Sequence, residues 1–185
     1  LANKEVLVMA GELVTQKAKE KNAKILPIDS EHSGIFQCLF SGKKEEVKNL
    51  FLTASGGPFL NWAKGDFDKI KVSDALAHPT WKMGKKITVD SATLMNKTLE
   101  IIEAHWLFNM QPEKIKVVIH PQSIVHSLVE FIDSSIIAQM GPTDMKLPIQ
   151  YAMAFPHRIA NNFPRYDFRK PNQLTFEEPD SKTFR

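Results

Sequence analysis

The segment KILPIDSEHSGIFQ, residues 24–37, joins an apolar run to the polar sequence DSEH, and the rest of the chain can be organised around it. The apolar run predicts a buried strand over Lys24–Ile28. In an extended chain, residues two apart point to the same side, so Asp29 and Glu31 are predicted to direct both carboxylates at one point. Paired oxygen ligands suit Mg²⁺ or Mn²⁺. The alternative is that both acids only cap and charge the first turn of a helix beginning at Ser33.

The composition is that of an ordinary globular protein. Of 185 residues, 43% are hydrophobic and 24% are charged, with a formal net charge of +3, which is enough for one sizeable core. The small charge and the scattered lysines argue against nucleic acid as a partner, and no apolar run reaches membrane-spanning length. Cys38 is the only cysteine, which excludes an internal disulfide and a cysteine-based zinc site.

The hydrophobic periodicity predicts an α+β fold, in which a mixed sheet carries helices mainly on one face. The predicted helices are Lys4–Lys21, Ser33–Phe40, Asp90–Asn109 and Met145–Phe155. The predicted strands are Lys24–Ile28, Asn49–Ala54, Lys86–Val89, Lys116–Ile119 and a hairpin of Ile124–Phe131 with Ile136–Met140. The segment 56–86 is poor in apolar residues, which is typical of a lid over a binding site and equally of a passive surface loop.

The predicted helix VDSATLMNKTLEIIEAHW has two distinct faces. The apolar positions on one stripe are predicted to face the core: Met95, Leu99, Ile102 and Trp106. A second stripe holds Asn96, Glu100 and Glu103, with Lys97 beside it. These polar groups either converge on one ligand or form a solvated helix face with a weak Lys97–Glu100 pair.

The start of that helix adds the hydroxyl groups of Ser91 and Thr93, where free N–H groups and the helix dipole favour a phosphate. The turn Ser55-Gly56-Gly57 is a second N–H-rich site of the kind that approaches oxyanions. The predicted phosphate ligands are Ser55, Ser91, Asn96 and Lys97. The predicted metal ligands beside them are Asp29, Glu31 and, as a candidate third, Glu100. The residues alone therefore predict a metal-dependent enzyme that acts on a phosphorylated, oxygen-chelating small molecule.

Six motifs then carry a resemblance to a known family. They are LANKE (1–5), PIDSEH (27–32), SGGPF (55–59), HPTWKMGKKI (78–87), VDSATLMNKTLE (89–100) and HPQSIVHS (120–127). In this order they resemble the catalytic domain of the 1-deoxy-D-xylulose 5-phosphate reductoisomerases of the non-mevalonate isoprenoid pathway. The resemblance implies a retro-aldol and aldol rearrangement of that substrate to a branched aldehyde, followed by hydride reduction to 2-C-methyl-D-erythritol 4-phosphate. It implies NADPH and a divalent cation, Mg²⁺ or Mn²⁺ with Co²⁺ as a further candidate.

The resemblance also implies a role for each matching residue. The metal ligands would be Asp29, Glu31 and Glu100. The phosphate clamp would be Ser55, Ser91, Asn96 and Lys97, with His78 closing over the substrate. Contacts to the substrate's hydroxyl and carbonyl oxygens would come from Lys4 and Ser30. The apolar cover of the lid would be Trp81 and Met83, and the contacts to the nicotinamide cofactor would be Asn3, Glu5 and Gly84.

The histidines in these motifs are less clearly assigned. His32 and His126 are candidates for orienting or proton-shuttling roles in catalysis, and a purely structural role is equally open for each. His120 is interpreted as a hinge or core histidine.

The family pattern also sets an expectation for the domains. We expect a catalytic domain over 1–165 with the lid at about 56–86, and a linker over 166–185 toward a helical domain that the chain lacks. The NADPH-binding Rossmann domain of the family is expected to be absent from this chain, since no G-x-G-x-x-G occurs. Thr98 and Val6 stand where the family more often has glycine and serine.

Two other hypotheses remain open from the sequence. One is a divalent-metal phosphohydrolase or nuclease that uses the same acids, although a two-metal site would need more carboxylates. The other is a non-catalytic dimerisation module in which the hairpin Ile124–Met140 pairs by its edge strand. The expected partners are a small phosphorylated sugar and a second copy in a homodimer, in the bacterial cytoplasm or the plastid stroma.

Overall fold

A four-stranded sheet and six helices make up the computed structural model, which describes residues 1–170 and 173–180. The strands are β1 (Val47–Ala54), β2 (Ile115–Ile119), β3 (Val125–Phe131) and β4 (Ile136–Met140). The helices are α1 (Glu5–Glu20), α2 (Ser30–Cys38), α3 (Val72–Ala75), α4 (Lys85–Ala92), α5 (Met95–Phe108) and α6 (Lys146–Ala154). Short 3₁₀ turns lie at Leu39–Ser41, Lys44–Glu46, Lys64–Lys69 and Pro112–Lys114. The predicted α+β class is confirmed.

The sheet has the strand order β2-β1-β3-β4 and is mixed, as predicted. β1 pairs in parallel with β2 and antiparallel with β3, and β3 and β4 form the predicted antiparallel hairpin. Because the carboxyl ends of parallel strands meet at one edge of a sheet, the residues that follow β1 and β2 lie side by side. Ser55 and His120 begin these two loops.

The core lies on the face of the sheet that α2 and α5 cover. α2 packs on β1, β3 and β4, α5 packs on β1 and β2, and α1 packs on the outside of α5. Leu50 and Leu52 of β1 alternate toward this face and have no exposed surface. Cys38 belongs to the same core, and burial raises the pKa of its thiol to about 11. The helices therefore lie mainly on one face, as expected.

Two predicted strands are wrong. Lys24–Ile28 is irregular backbone outside the sheet, where Pro27 has no N–H to donate and the N–H of Ile28 donates to the carbonyl of Leu1. Lys86–Val89 lies within α4, where the backbone N–H of Thr88 donates to the carbonyl of Gly84. A short apolar run does not by itself distinguish a strand from one side of a helix or from an irregular segment, which explains both errors.

The predicted helix Asp90–Asn109 is two helices. The break follows Ala92, and Leu94 adopts a left-handed conformation with φ of +59° before α5 begins at Met95. Ser91 therefore lies in the last turn of α4. The prediction that Ser91 and Thr93 stand at a helix N-terminus is wrong.

The predicted inner face of α5 is also wrong. Met95 is 49% exposed, and Leu99, Ile102 and Trp106 are only half-buried. The fully buried positions of the helix are mostly polar: Asn96, Lys97, Glu100, Glu103 and Ala104. These polar side chains are buried because oppositely charged groups from α1 and α2 meet them, which offsets the cost of removing them from water.

α1 packs closely against α5 through a glycine. The helix is kinked at Ala10, with φ of −144°, and Gly11 is buried beside Trp106. A Cβ atom on Gly11 would come 2.1 Å from the Trp106 ring. The close approach brings the start of α1, including Lys4, over the polar stripe of α5.

Two long irregular segments flank these elements. The segment 56–84 contains only the turn Lys64–Lys69 and α3, and its last residues approach the ends of β1 and α4. Of the predicted linker 166–185, residues 171–172 and 181–185 lie outside the described residues, and Glu177 pairs with Ile119 at the free edge of β2. Within the described ranges, no helix is long and apolar enough to cross a membrane.

Candidate active site

Asp29 and Glu31 stand at the start of α2, and the helix begins three residues earlier than predicted. Asp29 is the N-cap residue and Glu31 lies in the first turn, so the extended-chain geometry predicted for this pair is wrong. The Asp29 side chain makes no capping hydrogen bond. Its Oδ2 atom instead lies 2.5 Å from Nζ of Lys4. Ser30 donates a hydrogen bond of 2.6 Å to Oε2 of Glu31.

Glu100 lies beneath this pair and links both lysines of the site. Nζ of Lys4 lies 3.2 Å from Oε1 of Glu100 and 2.8 Å from Oδ1 of Asn96. Nζ of Lys97 lies 2.7 Å from Oε2 of Glu100 and donates a second hydrogen bond to Oε1 of Glu31. Three carboxylates thus share two ammonium groups, which leaves one formal negative charge in a buried network.

Burial and charge act on these carboxyl groups in opposite directions. Burial raises the pKa of Glu100 to about 7, with repulsion from Glu31 adding to it and attraction by Lys97 and Lys4 opposing it. Burial also acts to raise the pKa of Glu31, but the attraction of Lys97 and the hydrogen bonds to this carboxylate together outweigh burial and hold that pKa well below its ordinary value. The acids in turn raise the pKa of both lysines above the ordinary value, although burial opposes this.

The three predicted metal ligands come together. One carboxylate oxygen each of Asp29, Glu31 and Glu100 lies within 4.8 Å of the other two. Three convergent carboxylate oxygens with a net negative charge fit a hard divalent cation such as Mg²⁺ or Mn²⁺. A cation on these oxygens would compete with Lys4 and Lys97 for them.

A cavity of about 70 Å³ lies beside the carboxylates. Eleven of the predicted site residues line it: Asp29, Ser30, Glu31, Ser55, His78, Trp81, Met83, Ser91, Asn96, Lys97 and His126. The cavity is therefore bounded by the acids, by the loop after β1, by the end of α4 and by the segment predicted as a lid.

His78 joins two hydroxyl groups on one wall of this cavity. Its Nε2 atom lies 2.9 Å from Oγ of Ser55 and 3.1 Å from Oγ of Ser91. Its Nδ1 atom accepts hydrogen bonds from the backbone N–H groups of Thr80 and Trp81, at 3.2 and 2.9 Å. The neutral imidazole therefore carries its proton on Nε2. Burial, and then the nearby charge of Lys97, lower the pKa of His78.

The two serines are held together by a close backbone approach. Gly57 has a φ of +69°, and a Cβ atom there would lie 2.6 Å from the carbonyl oxygen of Ser91. The N–H of Gly57 also donates to Oγ of Ser55 at 3.1 Å. This turn sets the loop after β1 against the last turn of α4. Three neutral polar groups thereby share one cavity with the ammonium of Lys97, a set that suits an oxyanion such as a phosphate.

Comparison with known proteins identifies the family. The profile of the 1-deoxy-D-xylulose 5-phosphate reductoisomerase C-terminal domain matches residues 25–108, and that of the DXP reductoisomerase C-terminal domain matches residues 140–185. The chain is 61% identical over 184 residues to 1-deoxy-D-xylulose 5-phosphate reductoisomerase of Clostridium botulinum (strain Okra / Type B1). The chain belongs to the 1-deoxy-D-xylulose 5-phosphate reductoisomerase family. The resemblance inferred from the six motifs is thereby confirmed.

Further members of the family are similar to this chain in sequence and in structure. That of Chloroherpeton thalassium is 57% identical over 185 residues. A crystal structure of DOX-P reductoisomerase in complex with NADPH, fosmidomycin and magnesium superposes with a TM-score of 0.94 at 48% identity. The Zymomonas mobilis enzyme in complex with NADPH superposes with a TM-score of 0.91 at 43% identity. Each comparison covers all of this chain, and the chain spans about half of each relative, 48% of the C. botulinum and C. thalassium proteins and 48% and 47% of the two crystallised chains.

The two histidines predicted to be catalytic lie in different places. His126 lines the cavity, its ring centroid is 6.2 Å from that of Trp81, and burial lowers its pKa. His32 lies behind the acids with no exposed surface. Its Nε2 atom donates to the backbone carbonyl of Glu100 at 2.9 Å, while its Nδ1 atom lies 3.5 Å from Oε2 of Glu103. This position favours an orienting role for His32 over direct contact with a ligand.

The sequence predicted Glu103 only as a member of the polar stripe of α5. In the structure this residue is buried next to His32. Burial raises the pKa of its carboxyl group to about 7, against the attraction of His32. Within the part of the chain that the structure describes, Nδ1 of His32 and Oε2 of Glu103 have no other hydrogen-bond partner. The two groups therefore face each other as a pair that holds α2 and α5 together behind the site.

The residues predicted to contact the nicotinamide cofactor lie outside the cavity. Asn3 is exposed and accepts a hydrogen bond of 3.0 Å from the N–H of Glu5 at the start of α1. Glu5 pairs with Lys86 at 2.6 Å, and Gly84 is the N-cap residue of α4. The three positions thus occupy the adjoining starts of two helices.

Four residues that line the cavity were not predicted: Thr53, Ile87, Ser123 and Met145. For two of them the sequence contains a feature that could have indicated a place in the site. Thr53 lies two residues before Ser55 at the end of a predicted strand, and Ser123 belongs to the motif HPQSIVHS. Ile87 was predicted in a strand and Met145 at the start of a helix, and neither prediction indicated a role in binding or catalysis.

Proposed function

We propose that this chain supplies the metal and substrate site of an enzyme that converts 1-deoxy-D-xylulose 5-phosphate to 2-C-methyl-D-erythritol 4-phosphate with NADPH. The observation that carries the proposal is the meeting, at one cavity, of a three-carboxylate cluster, of which Asp29 and Glu31 line the cavity and Glu100 is buried behind them, with a wall of hydroxyl, imidazole and ammonium groups. A phosphorylated sugar with adjacent carbonyl and hydroxyl oxygens needs the carboxylates for a metal ion that these oxygens chelate, and it needs the polar wall for its phosphate. Membership of the reductoisomerase family supports this function and not the phosphohydrolase hypothesis.

In this proposal Asp29, Glu31 and Glu100 would hold Mg²⁺ or Mn²⁺. A bound cation polarises the carbonyl and hydroxyl oxygens of a chelating substrate and stabilises the negative charge that develops during rearrangement. Lys4 and Lys97 neutralise the same carboxylates in the described structure. Ser30 orients Glu31 through its hydrogen bond, which limits the directions that this carboxylate can take.

The opposite wall would bind the phosphate. Ser55, Ser91 and Nε2–H of His78 already converge on one another, and Lys97 supplies the positive charge on the same cavity. The indole of Trp81 and the thioether of Met83 line the cavity from the segment 56–84. We propose that this segment acts as a lid and that these two side chains exclude water from the substrate.

We propose that the described residues supply only part of the NADPH site. A dinucleotide fold uses a parallel sheet with a glycine-rich turn, and the only parallel pair among the described strands is β1 with β2. Related crystal structures contain NADPH, and we propose that Asn3, Glu5 and Gly84 contact only the nicotinamide end of this cofactor. The cofactor supplies the hydride for the second step of the proposed reaction.

Calorimetric titration of the complete product of the natural gene tests the proposed function. The ligand is 1-deoxy-D-xylulose 5-phosphate, with Mn²⁺ or with a chelator, and without NADPH. We expect binding only when Mn²⁺ is present. Equal binding in the presence of chelator would contradict the role of the acids, and release of inorganic phosphate would favour the phosphohydrolase.

Lys97→Met is expected to weaken binding of the phosphorylated sugar by about 30-fold or more, and to change binding of 1-deoxy-D-xylulose by less than about threefold. The reason is that the ammonium is the formal positive charge closest to the hydroxyl and imidazole wall among the residues lining the cavity. Binding of Mn²⁺ alone should not weaken, because the change frees one oxygen of Glu31 and one of Glu100.

The matched control is Lys48→Met, which removes an exposed lysine that pairs with Glu130 on the sheet. It should leave both affinities unchanged. Equal losses for the phosphorylated and the dephosphorylated sugar in Lys97→Met would remove Lys97 from the proposed phosphate site.

We also propose a homodimer through the edge of the sheet. β4 is the last strand in the sheet order, and the neighbouring apolar side chains of Ile132, Ile136 and Ile137 are 67%, 53% and 37% exposed. An open edge with exposed isoleucines favours pairing with a second copy. Sedimentation equilibrium of Ile137→Glu should give a dimer dissociation constant at least about tenfold higher than that of the parent. Ile159→Glu, an exposed position in irregular backbone, is the control; a parent that stays monomeric would contradict the proposal.

A further inference from the structure

Both ring nitrogens of His120 bind backbone groups, one those of the loop that follows it and the other that of residue 175. Its side chain has no exposed surface, although it lies in a loop. Nε2 accepts hydrogen bonds from the backbone N–H groups of Ile124 and Val125, at 3.2 and 3.1 Å. Nδ1 must therefore carry the proton, and it donates to the backbone carbonyl of Thr175 at 2.9 Å.

The loop that His120 closes forms part of the cavity wall. His120 follows β2 and Val125 begins β3, and both Ser123 and His126 line the cavity. Ser123 adopts a φ of +51°, which a serine rarely takes unless its surroundings hold it. The imidazole supplies the acceptor for the N–H groups of Ile124, which is part-buried, and of Val125, which is buried, where the chain turns into β3.

The other side of the imidazole is held by the tail of the chain. The ring of Phe176 stacks on His120 with centroids 4.7 Å apart and planes 12° apart. Gln122 donates to Oγ1 of Thr175 at 2.8 Å, and Glu177 and Ile119 exchange two backbone hydrogen bonds of 2.8 and 3.0 Å. The tail therefore binds the loop and the edge of β2 at several points, with His120 at the centre.

We propose that His120 is a positioning residue, which holds Ser123 and His126 in the wall of the substrate cavity, and that residues 175–177 lock its ring in the required orientation. The proposal rests on the proposed function for what occupies the cavity. His120 itself does not line the cavity. Its effect on a ligand must therefore pass through the loop.

Two substitutions distinguish the role of Nε2 of His120 from that of Nδ1. An amide in His120→Gln reaches the place of Nε2 and can still accept from Ile124 and Val125, whereas an amide in His120→Asn reaches only the place of Nδ1 and can still donate to Thr175. In the complete natural gene product, we expect His120→Asn to weaken binding of the phosphosugar with Mn²⁺ by about tenfold or more, and His120→Gln by about threefold or less. Backbone amides 124 and 125 should exchange hydrogen faster in His120→Asn and at the parent rate in His120→Gln.

Binding of Mn²⁺ alone should be the same in both variants, because the three carboxylates lie on other elements. Gln122→Leu, which removes the contacts to Thr175 and leaves the imidazole in place, serves if either histidine variant does not fold. We expect faster hydrogen exchange at 175–177 and a phosphosugar affinity weaker than that of the parent by less than about tenfold.

The reverse order, with His120→Gln damaging and His120→Asn tolerated, would show that His120 serves only to fasten the tail and would overturn the proposal. Unchanged exchange at 124 and 125 in His120→Asn would overturn it as well. A parent protein that fails to bind the phosphosugar would overturn the proposed function instead, and the exchange rates would then decide the role of His120 alone.

Discussion

Glu31→Gln is expected to reduce Mn²⁺-dependent binding of 1-deoxy-D-xylulose 5-phosphate by at least about 100-fold in calorimetric titration. The substitution keeps the shape of the side chain and removes one negative charge from the three-carboxylate cluster. A neutral amide oxygen is a weaker ligand for a hard divalent cation, and the ammonium of Lys97 would then lie beside the remaining acids with one partner fewer. Glu100→Gln should have an effect of the same size.

The fold should survive Glu31→Gln. Glu31 lies in the first turn of α2 and is not one of the residues that form the main apolar core. Circular dichroism and thermal unfolding without metal should resemble those of the parent. Glu130→Gln is the matched control, since this glutamate pairs with Lys48 and Asn49 on the sheet and does not line the cavity. If Glu31→Gln binds the ligand as tightly as the parent does, the assignment of the metal site is wrong.

Gly57→Ala should destabilise the fold by about 2–4 kcal/mol and weaken binding of the phosphorylated ligand at the same time. The new Cβ atom would lie 2.6 Å from the carbonyl oxygen of Ser91 and 3.2 Å from Cα of Ala92, and both are backbone atoms that cannot turn aside. The φ of +69° adds strain for any residue with a side chain. Separation of the turn from α4 would also separate Ser55 from Ser91 and His78.

Gly65→Ala provides the comparison for Gly57→Ala in urea unfolding and in ligand titration. It lies in the 3₁₀ turn Lys64–Lys69, and a Cβ atom there would meet nothing within 4 Å. Its effect on the free energy of unfolding should stay within about 0.5 kcal/mol. A Gly57→Ala protein that unfolds with the same midpoint as Gly65→Ala would show that the turn can move away from α4 at no cost.

The order of the main elements was readable from local patterns, and their details were not. The apolar run of β1, the hairpin of β3 with β4 and the helices α1 and α6 were predicted close to their observed bounds, because each has a clear pattern of apolar residues. Lys24–Ile28 and Lys86–Val89 failed because four or five residues cannot distinguish a strand from an irregular segment or a helix turn. The break between α4 and α5 depends on the backbone conformation of Leu94, which no periodicity reveals.

The sequence by itself determined the family, and it predicted a set of chemically active residues, since the motifs keep carboxylates, lysines and hydroxyl groups at characteristic places. Only the tertiary structure decided which face of α5 is buried. Periodicity assigns the apolar stripe to the core, but Glu100 meets Lys4 at a separation of 96 positions, and Lys97 meets Glu31 at a separation of 66. Burial of a charged group is costly unless the fold brings an oppositely charged partner to it. These partners lie far away along the chain, so local sequence patterns do not reveal them. The contacts between the His120 loop and residues 175–177 also join segments that are far apart in the sequence, and local patterns therefore did not predict them.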